Sequence, residues 1–156
     1  MVFPVQIQGG PIDDASLEID FALRTKTSAV GWIFSDELDA IVARSPAVDT
    51  AVRGLPVRVF LGAEVERIGD PLYGQLRRMG ALTGSDVALI PVALRPGVDG
   101  VDGASTVEIV ATLLNVRTGR VIWFGVVAGR PGSVTDFGTV ASAVGELAET
   151  LLWYLQ

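Results

Sequence analysis

The chain has 156 residues, 49% of them hydrophobic and 19% charged, and its 18 acidic residues against 12 basic ones give a net charge of −6. That size suits a single α/β domain over residues 1–156 with one core, and the acidic balance argues against phosphate backbones, so no nucleic acid is expected as a partner. Histidine and cysteine are both missing from the sequence, which excludes imidazole proton shuttles, thiol nucleophiles, disulfides and the commonest metal ligands.

Residues 2–8 alternate, with Phe3, Val5 and Ile7 on one side and Pro4, Gln6 and Gln8 on the other. This pattern predicts a half-exposed strand, and Pro4 suits an edge. Gly9, Gly10 and Pro11 break it, and Asp13 and Asp14 open a helix to about Thr25 with Ala15, Ile19, Ala22 and Leu23 inward. Residues 29–34 read as a second short strand. Ser35 then caps a helix over 36–44, whose stripe is Leu38, Ile41 and Val42 and which Pro46 stops. Between 47 and 69, Val57, Val59, Leu61, Ala63 and Val65 alternate as in a strand, against Pro56 and Gly62, which favour irregular chain.

Asp70 and Pro71 start a helix carrying Leu72, Leu76, Met79 and Leu82 until Gly84. Residues 86–94 form an apolar run of strand length in which Pro91 cannot donate and marks a bulge or an edge side. Residues 95–105, rich in glycine, read as a mobile loop. Residues 106–116 and 120–128 flank Arg117, Thr118 and Gly119, a tight antiparallel hairpin in which glycine supplies positive φ. Ser133 caps a long C-terminal helix with Val134, Phe137, Val140, Ala141, Val144, Leu147, Ala148, Leu151 and Leu152 at helical spacing. The expected architecture is a mixed sheet of four to five strands with helices packed on it, in the order β-α-β-α-α-β-β-β-α.

Candidate chemistry is sparse. Gly9 and Gly10 stand where a phosphate loop would, without its long glycine spacing or its Lys-Ser/Thr, and a plain turn is the simpler reading. Asp99 and Asp102 resemble part of a calcium loop but lack its further acids. Glu64 and Glu66 could share a strand face as an acid/base pair, although exposed edge charge explains them more cheaply. Ser85 and Ser133 have no histidine to activate them, and Lys26, the only lysine, has no nucleophilic setting. Trp32, Trp123 and Trp153 read as core or rim packing. No catalytic residue, cofactor or metal site is expected. The longest apolar stretches, 87–94 and 121–129, fall far short of the ~20 residues of a spanning helix. Residues 1–5 have neither a basic n-region nor a cleavage site.

Residues 84–90 and 107–123 carry a resemblance. They are similar to the CsgG/LpoB/TolB amino-terminal-like group of bacterial envelope proteins, in which a G-A-D-x-V-L strand is followed by a strand ending in D-x-x-T-G-x-x-x-W. The matching positions are Asn115, Thr118, Gly119 and Trp123, with asparagine standing where the group has aspartate. Residues 2–8 and the Ser35–Leu38 helix start also fit that layout, while residues 47–69 have no counterpart. The resemblance implies a non-enzymatic periplasmic accessory domain that works by protein–protein contact in a secretion or envelope complex. Any targeting segment or lipid anchor would then lie upstream of Met1. The matched residues would serve the turn and the core rather than catalysis. The alternatives left open are a small-ligand domain, binding a nucleotide or metal at Gly9–Gly10 or Asp99/Asp102, and a structural subunit that self-associates through its apolar C-terminal segment, residues 151–155.

Overall fold

The computed structural model describes residues 1–99 and 103–155, and the side chains of residues 98 and 99 are not among those described. The chain is α/β, with a four-stranded mixed sheet among the described residues. In chain order the elements are β1 (Ile7–Gln8), α1 (Ser16–Lys26), α2 (Ser35–Ala43), α3 (Val59–Gly62), α4 (Leu72–Thr83), β2 (Val87–Asp99), β3 (Ser105–Asn115), β4 (Val121–Ala128) and α5 (Phe137–Leu152). The sheet order is β1-β2-β3-β4, with β1 parallel to β2. The chain divides into two compact units, each assembled from three segments.

The first unit comprises Met1–Gln6, Trp32–Val92 and Thr112–Phe124. Its core gathers Phe3, Leu38, Phe60, Leu76, Met79, Leu89, Ile90, Leu113 and Leu114, all almost fully buried. α2 packs on α4, and at its start the Glu37 carboxylate accepts the Phe34 N–H at 3.1 Å. α4 ends as expected on Gly84, whose φ of +70° is the left-handed cap that glycine adopts without a Cβ penalty. The hairpin between β3 and β4 is also present: the Asn115 N–H donates to the Arg120 carbonyl at 2.9 Å.

The second unit comprises Ile7–Gly31, Ala93–Ala111 and Gly125–Gln156. Here α1 packs on α5, burying Ile19 and Leu23 of α1 together with Val144, Leu147, Ala148 and Leu151 of α5. Asp14 tethers the start of α1, its Oδ1 accepting the Ser16 N–H at 2.9 Å and the Ser16 hydroxyl at 2.5 Å.

The expected strand at 29–34 is not formed. The Val30 N–H turns back to the Thr27 carbonyl at 2.9 Å, Thr27 Oγ1 donates to Leu23 O at 2.6 Å, and residues 31–34 run on as irregular chain. The turn takes up the Val30 N–H locally, and the Val2 N–H donating to Ile33 O at 2.8 Å does not extend into a ladder. The alternation at 57–65 is likewise not a strand. Val57 and Phe60 are buried three apart while Val59 and Leu61 are exposed, which is the period of the short helix α3. Antiparallel pairing begins just beyond this segment, at the isolated bridge of Arg67 with Arg120.

The 95–105 loop is a correction of the other kind, because β2 continues through Asp99. Arg95 pairs with Glu108 of β3 at 3.0 Å, and Gly97 lies so close to Thr106 and Glu108 that a Cβ there would collide with them. Gly97 serves close strand approach rather than looseness. Residues 100–102 lie outside the described residues. In β1 only Ile7 and Gln8 are regular. Val2 pairs with Leu89 and Ile7 with Ala93, so the β1 side carries one residue more than β2 between the two pairings. Pro91, with no N–H to give, lies within that stretch, its carbonyl accepting the Gln6 N–H at 3.0 Å, as a bulge requires. α5 starts at Phe137 rather than after Ser133, whose carbonyl accepts the Asp136 N–H in a turn at 2.9 Å.

Candidate functional site

The residues singled out by the hairpin signature form a well-bonded turn. Asn115 Oδ1 accepts the Arg117 N–H at 3.1 Å, the Thr118 N–H at 3.0 Å and the Thr118 hydroxyl at 3.0 Å. One side-chain oxygen thereby organises the reversal, as an Asx turn does. Gly119 has φ +71°, and a Cβ there would lie 2.9 Å from the Tyr73 ring and 3.2 Å from the Ile68 carbonyl oxygen. Tyr73 clasps the same turn, its hydroxyl donating to Arg117 O at 2.6 Å. Arg117 also pairs with Asp86 at 2.6 Å. Trp123 is half-buried on β4, and its carbonyl accepts the Thr112 hydroxyl at 3.1 Å. These contacts build a turn and a sheet, with no pair of groups aimed at a common point.

The other sequence candidates are dispersed. The Gly9 N–H donates to Leu94 O at 2.7 Å, and a Cβ on Gly10, whose φ is +71°, would meet Pro96 at 3.0 Å. That turn is glycine because it presses on β2. Glu64 and Glu66 are exposed and line an open hollow of about 340 Å³ beside Arg120 and Trp123. Ser133 Oγ sits 3.0 Å from Thr135 Oγ1. Among the described residues no group of three or more acidic side chains could hold a metal ion. Asp102 and the Asp99 side chain lie outside the described set. No helix among the described residues is long and apolar enough to cross a membrane. Leu151 is buried, yet Trp153 just beyond it is 82% exposed, against the expectation of core or rim packing for it.

What the sequence reading missed is on the second unit. α1 has two apolar faces: Ile19 and Leu23 point into the core, and Leu17 and Phe21, one turn apart on the opposite side, are 78% and 73% exposed. On α5, Phe137 was expected inward and is instead 66% exposed. Leu17, Phe21, Ala22 and Thr25 of α1 and Phe137, Ala141, Val144 and Gly145 of α5 line an open groove of about 440 Å³. Its floor is low because Ala141 and Gly145 carry little side chain where a larger residue would fill the space between the helices. The signal was legible in principle: Leu17 and Phe21 are large apolar residues outside the stripe that Ile19 and Leu23 define.

The groove has an electrostatic edge. Lys26 Nζ reaches across from α1 to Glu149 Oε1 at 2.5 Å and to the Gly145 carbonyl at 3.4 Å. The hydrogen bond from Lys26, and then its charge, hold the Glu149 carboxyl below the usual glutamate range. The only lysine of the chain is thus engaged. Glu18, by contrast, is half-buried and lines the groove with its Oε2 enclosed and without a hydrogen-bond partner. Comparison with protein-family models, curated proteins and solved structures returned no match. The resemblance to the CsgG/LpoB/TolB group therefore rests on sequence residues 84–90 and 107–123 and on the layout of residues 2–8 and Ser35–Leu38.

Proposed function

We propose that this chain is a non-enzymatic contact domain that holds a protein partner in the groove between α1 and α5, in the setting of a bacterial cell-envelope complex. One observation carries the contact reading. Three large apolar side chains, Leu17, Phe21 and Phe137, stand mostly in solvent around one groove. Two further exposed positions would be unremarkable, but clustering of this kind marks interaction surfaces. The envelope setting comes from the hairpin resemblance at Asn115, Thr118, Gly119 and Trp123, with periplasmic location and outer-membrane attachment as its corollaries.

The test is recovery of a complex from envelope extract with the intact chain and with the double variant Leu17→Ser, Phe137→Ser. Both positions are exposed, and substitution at exposed sites away from special features changes stability by about 0.5 kcal/mol or less. The expected result is a stoichiometric complex with the intact chain that the double variant loses, and that an Ile122→Ser control on β4 keeps. Equal recovery with the double variant overturns the groove as the contact face. Recovery of cytosolic partners alone overturns the envelope setting.

A further inference from the structure

We infer that the groove takes a basic amphipathic helix of the partner, with its apolar side between α1 and α5 and lysine or arginine on its flanks. This rests on the contact reading above and adds the chemistry of the occupant. The sequence segments of the second unit contain ten acidic residues and four basic ones, whereas those of the first contain eight of each. The whole net charge of −6 therefore belongs to the unit that carries the groove. Exposed acids stand just before α1 at Asp13 and Asp14, at the N-cap of α5 at Asp136, and on α5 at Glu146 and Glu149, against exposed Arg24 and Lys26 on α1, of which Lys26 is engaged by Glu149. Glu18 Oε2 supplies an independent pointer: it is a buried acceptor on the groove wall without a hydrogen-bond partner, and a cationic donor is the group that binds a carboxylate most strongly.

The geometry favours a helix over other occupants. Two helical walls with anchors one turn apart, Leu17 and Phe21 on one and Phe137 and Ala141 on the other, offer the i, i+4 spacing at which a third helix presents its side chains. A second copy of the chain fits poorly. It would bring two strongly acidic surfaces face to face, which opposes association.

The experiment is calorimetric titration of the full chain with two synthetic probes. One is a leucine-and-lysine amphipathic helix of about 16 residues, matching α5 at about 24 Å, and the other has the same apolar face with glutamate in place of lysine. The basic probe is expected to bind one to one, to weaken at least ~10-fold with the acidic flank, and to weaken as salt rises. Phe21→Ser is expected to abolish this binding, and Glu18→Gln to reduce it several-fold while leaving the melting temperature unchanged. Equal binding of both probes, still lost in Phe21→Ser, overturns the charge inference and leaves the contact reading intact. Binding that survives Phe21→Ser overturns the placement in the groove. Concentration-dependent dimerisation of the chain, seen by light scattering and lost in Phe21→Ser, overturns the inference in favour of a second copy. No binding of either probe overturns the basic helix as occupant, whereas the contact reading fails only if complex recovery ignores the groove substitutions.

Discussion

Two glycines in one helix give opposite expectations for the same substitution. Gly74 and Gly80 both lie inside α4, where alanine is favoured over glycine by about 1 kcal/mol on backbone entropy and solvation. At Gly80 a Cβ would sit 2.5 Å from Val116 Cγ1 and 3.0 Å from the Ser85 carbonyl oxygen. The first neighbour is a buried side chain and the second is backbone, so the helix or the chain after β3 must shift. Overpacking of that kind costs about 1–3 kcal/mol, and Gly80→Ala is expected to destabilise by roughly 1–2 kcal/mol net of propensity. At Gly74 the nearest atoms are Asp70 Oδ1 at 3.0 Å and Arg78 Nη1 at 3.4 Å, the ends of exposed side chains that can yield. Gly74→Ala is expected to be neutral or to stabilise by up to about 1 kcal/mol. Urea denaturation compares the midpoints directly, and a gap of about 2 kcal/mol corresponds to roughly 4–8 °C in Tm for a chain of this size. Equal midpoints, or Gly80→Ala as the more stable variant, would refute the packing of α4 against Val116.

Other outcomes follow from single sites. Gly119→Ala is expected to destabilise by about 2 kcal/mol or more, because a left-handed φ and the approach of Tyr73 penalise it together; a wild-type midpoint would contradict the turn geometry. The α-amino group of Met1 is buried, donates to Val87 O at 2.8 Å, and is lowered by desolvation from 8.0 to about 6. Above pH 8 it is neutral in both states; between pH 8 and 6 the unfolded chain binds a proton that the folded chain does not. Stability should therefore fall by about 2–3 kcal/mol as pH drops through that window and level off below it. Acetylation of the amine should flatten the profile, and an unchanged slope after acetylation would count against its burial. Ala141→Leu should fill the groove floor, weakening partner capture with little change in Tm; undiminished capture would argue that the floor is not contacted.

The hairpin, α4 and α5 were legible because their signals are local and redundant: Asn115 and Gly119 each demand the same reversal, and Gly84 ends a helix whose buried positions repeat at helical spacing. The strand at 29–34 failed for the opposite reason. Its apolar residues suit a sheet, but Thr27 and Val30 close a turn that spends their hydrogen bonds locally. β2 was read short because Gly97 looks like a loop residue until the neighbouring strand that needs its small volume is known. For the site, periodicity located Ile19 and Leu23 of α1 and Val140, Val144, Leu147, Ala148 and Leu151 of α5 as buried, misplaced Ala22 and Phe137, and drew attention away from Leu17 and Phe21. Their exposure is a tertiary fact: it depends on Ala141 and Gly145 leaving room across the way, which no single segment announces.

The groove itself can be watched. With the chain labelled in its backbone nitrogens and titrated with the lysine-flanked helix, amide resonances of residues 17–26 and 137–149 should shift and their hydrogen exchange slow, while the turn at 115–120 stays unmoved. Shifts confined to that turn or to the segment around Trp153, with residues 17–26 silent, would contradict the groove as the place where this protein meets its partner.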